Sequence, residues 1–466
     1  MRSIFFSIVL GALLHLPAQG AALGYGAFGS GSVIASTVPA SGLEKIYDLN
    51  KVKPFFNLMS TERVALIGVG DSNQILSGTG LDHGFQHALS SAGFVMWGTG
   101  LQSANENLGA SAASGFGYTH PGFQVGYATG APAEQAKYFD VGQGTIAPNN
   151  YAYIADNSTF SSNNNGVILT TGPFDRGGNI EWGQYYATFV SGTGRMRLAI
   201  RIGQPPYTLL AQGGTINPVT GSVGIASTTL SLAAASRIYD VNGMVYNSGT
   251  GVSLEGPAFL TYQRFINRDA QTGFSYQNLD YHGGVGFRDM LKDLQQASTD
   301  YLTHYLTAVR EPLGSNKAVL FTLNSGVNDR NTTLASLGPN PVTDGDSPEA
   351  FADNTRGIIE RIRGIYSLNG WSSAQLYFLI IPSPQVSSPD DAELITYRAA
   401  ADFVSQTSSN TAVVHFEDLA TYSELTSSSG QGCYYATSCT DFVHFVTTGY
   451  ERLYRKVITA ITGIGY

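Results

Sequence analysis

Two hydrophobic rhythms alternate along this chain. After Arg63, the run Val64-Ala65-Leu66-Ile67-Gly68-Val69 is continuously apolar, as expected of a strand buried on both faces of a parallel sheet. It ends in Gly70-Asp71-Ser72-Asn73, and Leu81 to Ala92 then reads as a helix. A second buried strand is expected at Lys317–Leu323, followed by a helix from about Ser347 to Tyr366. A strand at Gln375–Ile381, a helix at Asp391–Gln406, a strand at Ala412–Phe416 and a closing helix at Thr448–Ile461 complete the series. This alternation predicts an α/β domain of three layers with a mostly parallel sheet.

Between Leu101 and Phe274 the rhythm changes to one of period two. Glu181–Phe189, Arg195–Ile202 and Thr228–Leu232 alternate apolar with polar residues, and Gly, Ser, Thr and Asn fill the stretches between them. This pattern predicts an antiparallel, sandwich-like β domain inserted into the α/β domain. Helices resume over Phe287–Val309, with Met290, Leu291, Leu294, Tyr301, Leu302 and Tyr305 on an apolar face. The expected organisation is a first α/β part at 61–100, the β insertion at 101–274 and a second α/β part at 275–466. A Gly/Ala/Ser-rich stretch occupies 21–60.

Composition narrows the partners. The 466 residues are 43% hydrophobic and only 13% charged, with 55 glycines and 26 tyrosines. A net charge of -9 and the lack of any Lys/Arg cluster argue against a nucleic-acid partner. Met1-Arg2-Ser3, the apolar run Ile4–Leu16 and the small residues of Ala18-Gln19-Gly20 read as a cleavable signal peptide over 1–20. No second run of about 18 apolar residues follows, so the mature chain is expected to be secreted or periplasmic, without a membrane span. Cys433 and Cys439, with five residues between them, are expected to form a disulfide; only His444 nearby would add to a zinc set.

The chemistry concentrates in three blocks. Gly70-Asp71-Ser72-Asn73 follows one buried strand, and Gly326-Val327-Asn328-Asp329 follows another. Asp441-Phe442-Val443-His444 precedes Thr447-Thr448-Gly449-Tyr450 and an amphipathic helix. In this order and context, the blocks resemble the SGNH (GDSL-type) hydrolase family over roughly 60–100 and 276–466. The resemblance implies a three-layer α/β/α, flavodoxin-like domain interrupted by the β insertion. It makes Ser72 the nucleophile, His444 its general base and Asp441 the residue that orients the imidazole. The oxyanion donors it implies are the Ser72 N–H, the Asn328 side chain and a glycine N–H from His282-Gly283-Gly284-Val285-Gly286. That segment departs from the family pattern, leaving Gly286, next to the helix start, and Gly284 as alternatives. Asp71 and Asp329 are expected to brace loops. No cofactor or metal is implied.

Other residues carry weaker chemistry. His83 and His87 share one helix face at metal-binding spacing, but no third ligand accompanies them. His282 lies in the divergent glycine segment. Trp182, Tyr185, Tyr186 and Phe189 alternate in facing along one strand, so half of them would face away from a core. The resulting expectation is a secreted serine esterase that removes acyl groups, O-acetyl foremost, from a carbohydrate. A lipase, a thioesterase or an O-acetyltransferase on the same scaffold is the alternative, followed by an inactive surface binding protein.

Overall fold

The computed structural model describes residues 48–70, 81–98, 100–103, 116–119, 123–127, 150–154, 168–171, 179–188, 196–202, 208–216, 222–231, 241–247, 258–281, 286–297, 299–325, 329, 347–382, 392–419 and 447–463. After α1 (Lys53–Met59), strand β1 (Arg63–Gly70) is buried along its whole length. Helix α2 (Leu81–Ser91) and the short strand β2 (Met96–Gly98) follow. The period-two region contributes β3 (Gln102–Ser103), β4 (Phe116–Thr119), β5 (Phe123–Tyr127), β6 (Asn150–Ile154) and β7 (Ile168–Thr171). It continues through β8 (Asn179–Thr188), β9 (Met196–Ile202), β10 (Thr208–Ile216), β11 (Ser222–Ser231), β12 (Val241–Asn247) and β13 (Ala258–Asn267). Strand β14 (Gly273–Tyr281) leads into α3 (Phe287–Gln296) and α4 (Thr299–Arg310), so the apolar stretch over 287–309 is two helices. Then come β15 (Val319–Ser325), α5 (Pro348–Leu368), β16 (Leu376–Pro382), α6 (Ala392–Thr407), β17 (Thr411–Val413), α7 (Phe416–Leu419) and α8 (Thr447–Thr462).

Strands β2, β14, β1, β15, β16 and β17 lie side by side in that order, all parallel. Their apolar runs are continuous because each face meets a different layer of helices. Ala65, Ile67, Val69, Phe321 and Phe378 join one core with Met290, Leu306, Ile359 and Tyr397 from α3 to α6. Val64, Leu66, Leu320 and Leu379 join the other with Phe56 of α1, Phe85 of α2 and Tyr454 and Ile458 of α8. Helix α5, 21 residues long, starts where the Ser347 side chain accepts the Ala350 N–H at 3.1 Å and Pro348 stands in its first turn.

The sheet does not stop at β2. Ile266 of β13 pairs with Gly98, and the antiparallel order β11-β8-β13 extends the same hydrogen-bonded array. A second antiparallel sheet, in the order β10-β9-β12-β7-β4, lies with β9 and β10 beside β11. Trp182, Tyr185 and Tyr186 lie in β8. Phe189 lies outside the described residues.

The turn between β13 and β14 is fixed against the amino end of β1. The buried Arg63 side chain donates to the carbonyls of Asn267, Arg268 and Ala270 at 3.0, 2.9 and 2.5 Å. Arg264 of β13 donates to the Ala308 carbonyl at 2.6 Å and pairs with Glu311 beyond α4, while Arg268 pairs with Glu181 of β8. Gly273 opens β14 at φ 102°, and a Cβ there would stand 1.8 Å from the Val95 carbonyl oxygen, so only glycine fits. No described helix is long and apolar enough to cross a membrane.

Candidate active site

Strands β14, β1 and β15 end together at the carboxyl edge. Gly70, the last residue of β1, lies opposite Tyr281 on one side and Asn324 on the other. From β1 the chain moves outward through α2 and β2, and its next parallel strand, β14, pairs with one side of β1. It then crosses by α3 and α4, on the opposite face, to pair β15 with the other side. The strand order therefore reverses at β1. Open α/β sheets bind their ligands outside the carboxyl ends of the strands at such a reversal, because the diverging connections leave a crevice there.

Of the residues expected from sequence, Gly286 is described. Ser72, Asn328, Asp441, His444, the alternative Gly284 and the Cys433/Cys439 pair lie outside the described residues, as do Asp71 and His282. The described residues define the frame from which these segments depart. The Gly-Asp-Ser-Asn block begins on the last residue of β1, and Gly326-Val327-Asn328 immediately follows β15. Asp441 and His444 precede α8 in the sequence.

Asp329 is the best-defined polar group of this frame. It is 3% exposed, and its carboxylate accepts two hydrogen bonds: from the Phe287 N–H at 2.9 Å and from the Ser325 hydroxyl at 2.6 Å. Its backbone carbonyl accepts from the Tyr397 hydroxyl at 3.1 Å. One residue thus joins the end of β15, the first turn of α3 and the middle of α6. Phe287, Phe351 and Tyr397 pack in series beside it, with ring centroids 5.3 and 5.4 Å apart, the first pair tilted and the second edge-on. Burial pushes its carboxyl up to about 6 against the opposing pull of the bonds from Ser325 and Phe287; Asp289 adds to the rise and Arg288 offsets it.

Gly286 packs directly on that carboxylate. A Cβ at this position would stand 2.5 Å from Asp329 Oδ1 and 2.7 Å from Cγ, so the approach requires glycine. The Gly286 carbonyl accepts from the N–H groups of Asp289 and Met290, while its own N–H donates to none of the described groups. Asn324 is a further buried polar residue of the edge. Its side-chain amide donates to the Ile381 carbonyl at 2.8 Å, and its Oδ1 is buried with no hydrogen-bond partner among the described residues.

On the opposite face, α2 and α8 lie in close contact. Gly84 packs against Tyr450, and His87 Nδ1 is 3.6 Å from Glu451, which also pairs with Arg455. The helices that follow the first and third sequence blocks in the chain are therefore neighbours. Sequence reasoning did not identify Ser325 or Tyr397. Ser325 directly precedes the Gly326–Asp329 block, four positions from Asp329, whereas Tyr397 reaches Asp329 only through the fold. Asp329 itself stood inside a quoted block as a brace.

No family model matches this chain, and no curated protein does. Among solved structures it is similar to the CBM22-2 xylan-binding domain of Paenibacillus barcinonensis Xyn10C, at 9% identity over 36% of this chain and 98% of that one, TM-score 0.24. It is also similar to the CBM22-1-GH10 modules of Clostridium thermocellum xylanase 10B complexed with xylohexaose, at 11% identity over 66% of this chain and 61% of that one, TM-score 0.25. A third is the carbohydrate-binding module CBM6cm-2 of Cellvibrio mixtus lichenase 5A with cellotriose, at 13% identity over 32% and 88%, TM-score 0.19. At these TM-scores the likeness assigns neither a fold family nor a function.

Proposed function

We propose that this chain is a serine esterase of the SGNH type that removes O-acetyl groups from a carbohydrate through an acyl-enzyme. The observation that carries the reading is the reversal of strand order at β1, with Gly-Asp-Ser-Asn leaving β1 and Gly-Val-Asn-Asp leaving the adjacent β15. The block Asp-Phe-Val-His precedes α8, which packs on the helix that follows Ser72. The proposed nucleophile and oxyanion donor belong to segments that leave two adjacent strand ends, and the proposed base–orienter pair to the segment that leads into α8.

In this mechanism the Ser72 hydroxyl attacks the ester carbonyl carbon as His444 takes its proton, and Asp441 stabilises the imidazolium that forms. The negative charge on the former carbonyl oxygen is held by the Ser72 N–H, the Asn328 side-chain amide and the N–H of Gly286, with Gly284 the alternative. Collapse of the tetrahedral species breaks the bond to the alkoxy oxygen, which leaves as the sugar hydroxyl with the proton from His444. Water then repeats the sequence on the acyl-enzyme and releases acetate. The carbohydrate substrate rests on the low charge of the chain, the Gly/Ser/Asn-rich insertion and the export signal read at its amino terminus.

The test is acetate release from acetylated xylan and acetylated peptidoglycan, beside p-nitrophenyl esters of increasing chain length. Release from a polysaccharide, with short acyl groups preferred and fluorophosphonate labelling at Ser72, is the expected result. Preference for long acyl chains without release from polysaccharide would replace this reading with a lipase or thioesterase. A folded chain that is neither labelled nor active would make it a binding protein.

A further inference from the structure

We infer that Asp329 is a positioning residue that sets the geometry of the oxyanion-binding groups, holding Gly286 at the start of α3 in fixed relation to the segment that carries Asn328. The inference rests on the reading of the site as that of a serine esterase. It starts from a cost: a carboxylate that is 3% exposed loses its hydration, and a chain that needed only a packed side chain there would do better with an apolar one. What the carboxylate provides is two acceptor oxygens in one rigid plane. Oδ1 takes the Phe287 N–H, and Oδ2 takes the Ser325 hydroxyl.

The geometry binds these contacts into one unit. The Phe287 N–H belongs to the peptide that joins Gly286 to Phe287, so the bond to Oδ1 fixes the plane of that peptide. The close approach of the carboxylate to the Gly286 Cα, where a Cβ would stand 2.5 Å from Oδ1, fixes the glycine from its open side. On the other flank, Ser325 ends β15, and the Tyr397 hydroxyl holds the Asp329 carbonyl, so the residue directly after Asn328 is anchored at both its side chain and its backbone. The Cα of Gly286 and the residue that follows Asn328 thereby share one anchor. An oxyanion site works because its donors need no rearrangement as charge develops, so loosening the anchor weakens transition-state binding more than substrate binding.

The test compares Asp329→Ala, Asp329→Asn and Ser325→Ala with the wild type on a p-nitrophenyl acetate assay and on binding of an arylboronic acid, which forms a tetrahedral adduct with a nucleophilic serine. Asp329→Ala should lower kcat by roughly 100-fold with KM within about threefold, and weaken boronate binding in parallel with kcat. Asp329→Asn should recover most of that loss, because its amide oxygen still accepts from Phe287 and its amide nitrogen can donate to Ser325 Oγ. Unchanged kcat in Asp329→Ala, or equal losses in the Ala and Asn variants, would overturn the inference. If Asp329→Ala fails to fold, Ser325→Ala decides: a several-fold fall in kcat and boronate affinity at constant KM supports it, and unchanged values overturn it. A wild type that neither turns over esters nor is labelled by fluorophosphonate at Ser72 would instead overturn the reading of the site, and this inference with it.

Discussion

Gly84 of α2 lies against Tyr450 of α8 with no room for a side chain: a Cβ built on the glycine would stand 2.5 Å from the tyrosine Cβ and 2.9 Å from its carbonyl carbon. The atoms in the way are backbone or next to it, so they cannot yield by changing a rotamer. Gly84→Ala should therefore push α8 outward and destabilise the chain by about 1–3 kcal/mol, less the fraction of a kcal/mol that alanine gains in a helix. Urea unfolding measures the loss. Ester turnover should fall by more than that loss alone explains, because the segment carrying His444 leads into α8.

The proposed triad has separable roles. Ser72→Ala and His444→Ala should each reduce kcat to the level that substrate binding and the oxyanion donors alone provide, and Asp441→Asn should cost roughly 10⁴-fold through the wrong imidazole tautomer. Steady-state kinetics together with fluorophosphonate labelling distinguish them. Only Ser72→Ala removes the labelled atom itself.

Asn328→Ala should raise the activation barrier by about 3–4 kcal/mol, a fall in kcat of roughly 10²–10³, with little change in KM. A rise in KM at constant kcat would mean that the amide contacts substrate and transition state equally.

Asp329 makes stability depend on pH in a definite direction. Its carboxyl loses its proton near 6 when folded, against an ordinary value of 3.8, so between these values the folded chain holds a proton that the unfolded chain has released. Its contribution is fully present below about 3.8 and is lost as the pH rises through about 6. Two pH units correspond to about 3 kcal/mol. Asp329→Asn, which never ionises, should gain up to that much stability relative to the wild type between pH 4 and pH 7, read from denaturant titrations at both.

The central strands were legible because burial on both faces leaves an unbroken apolar run. The strands expected at 64–69, 317–323 and 375–381 correspond to β1 (Arg63–Gly70), β15 (Val319–Ser325) and β16 (Leu376–Pro382). Strand β14 carried no such mark, since it buries Ser275 and Gln277 among its apolar residues. Gln277 is accommodated by accepting the Leu101 N–H at 2.8 Å, a partner 176 positions away that no local pattern reveals. The same holds at the edge of the sheet. The blocks around Ser72, Asn328 and His444 announce themselves by residue type, whereas the bond from Tyr397 to Asp329 spans 68 positions and exists only once α6 has docked.

Arg63, at the amino end of β1, donates to the carbonyl of Asn267, 204 positions later, and β1 receives β14 as its neighbour only beyond that point. The centre of the sheet therefore cannot assemble as the chain emerges. The first strand must wait, with both edges unpaired, until the whole period-two region has been synthesised. Closing so long a loop costs only slightly more than closing a short one, but it slows folding, and an unpaired apolar strand invites association with other chains in the meantime. Early formation of the β8–β13 pairing would shorten that interval, giving the inserted region a part in the order of folding as well as in the finished surface.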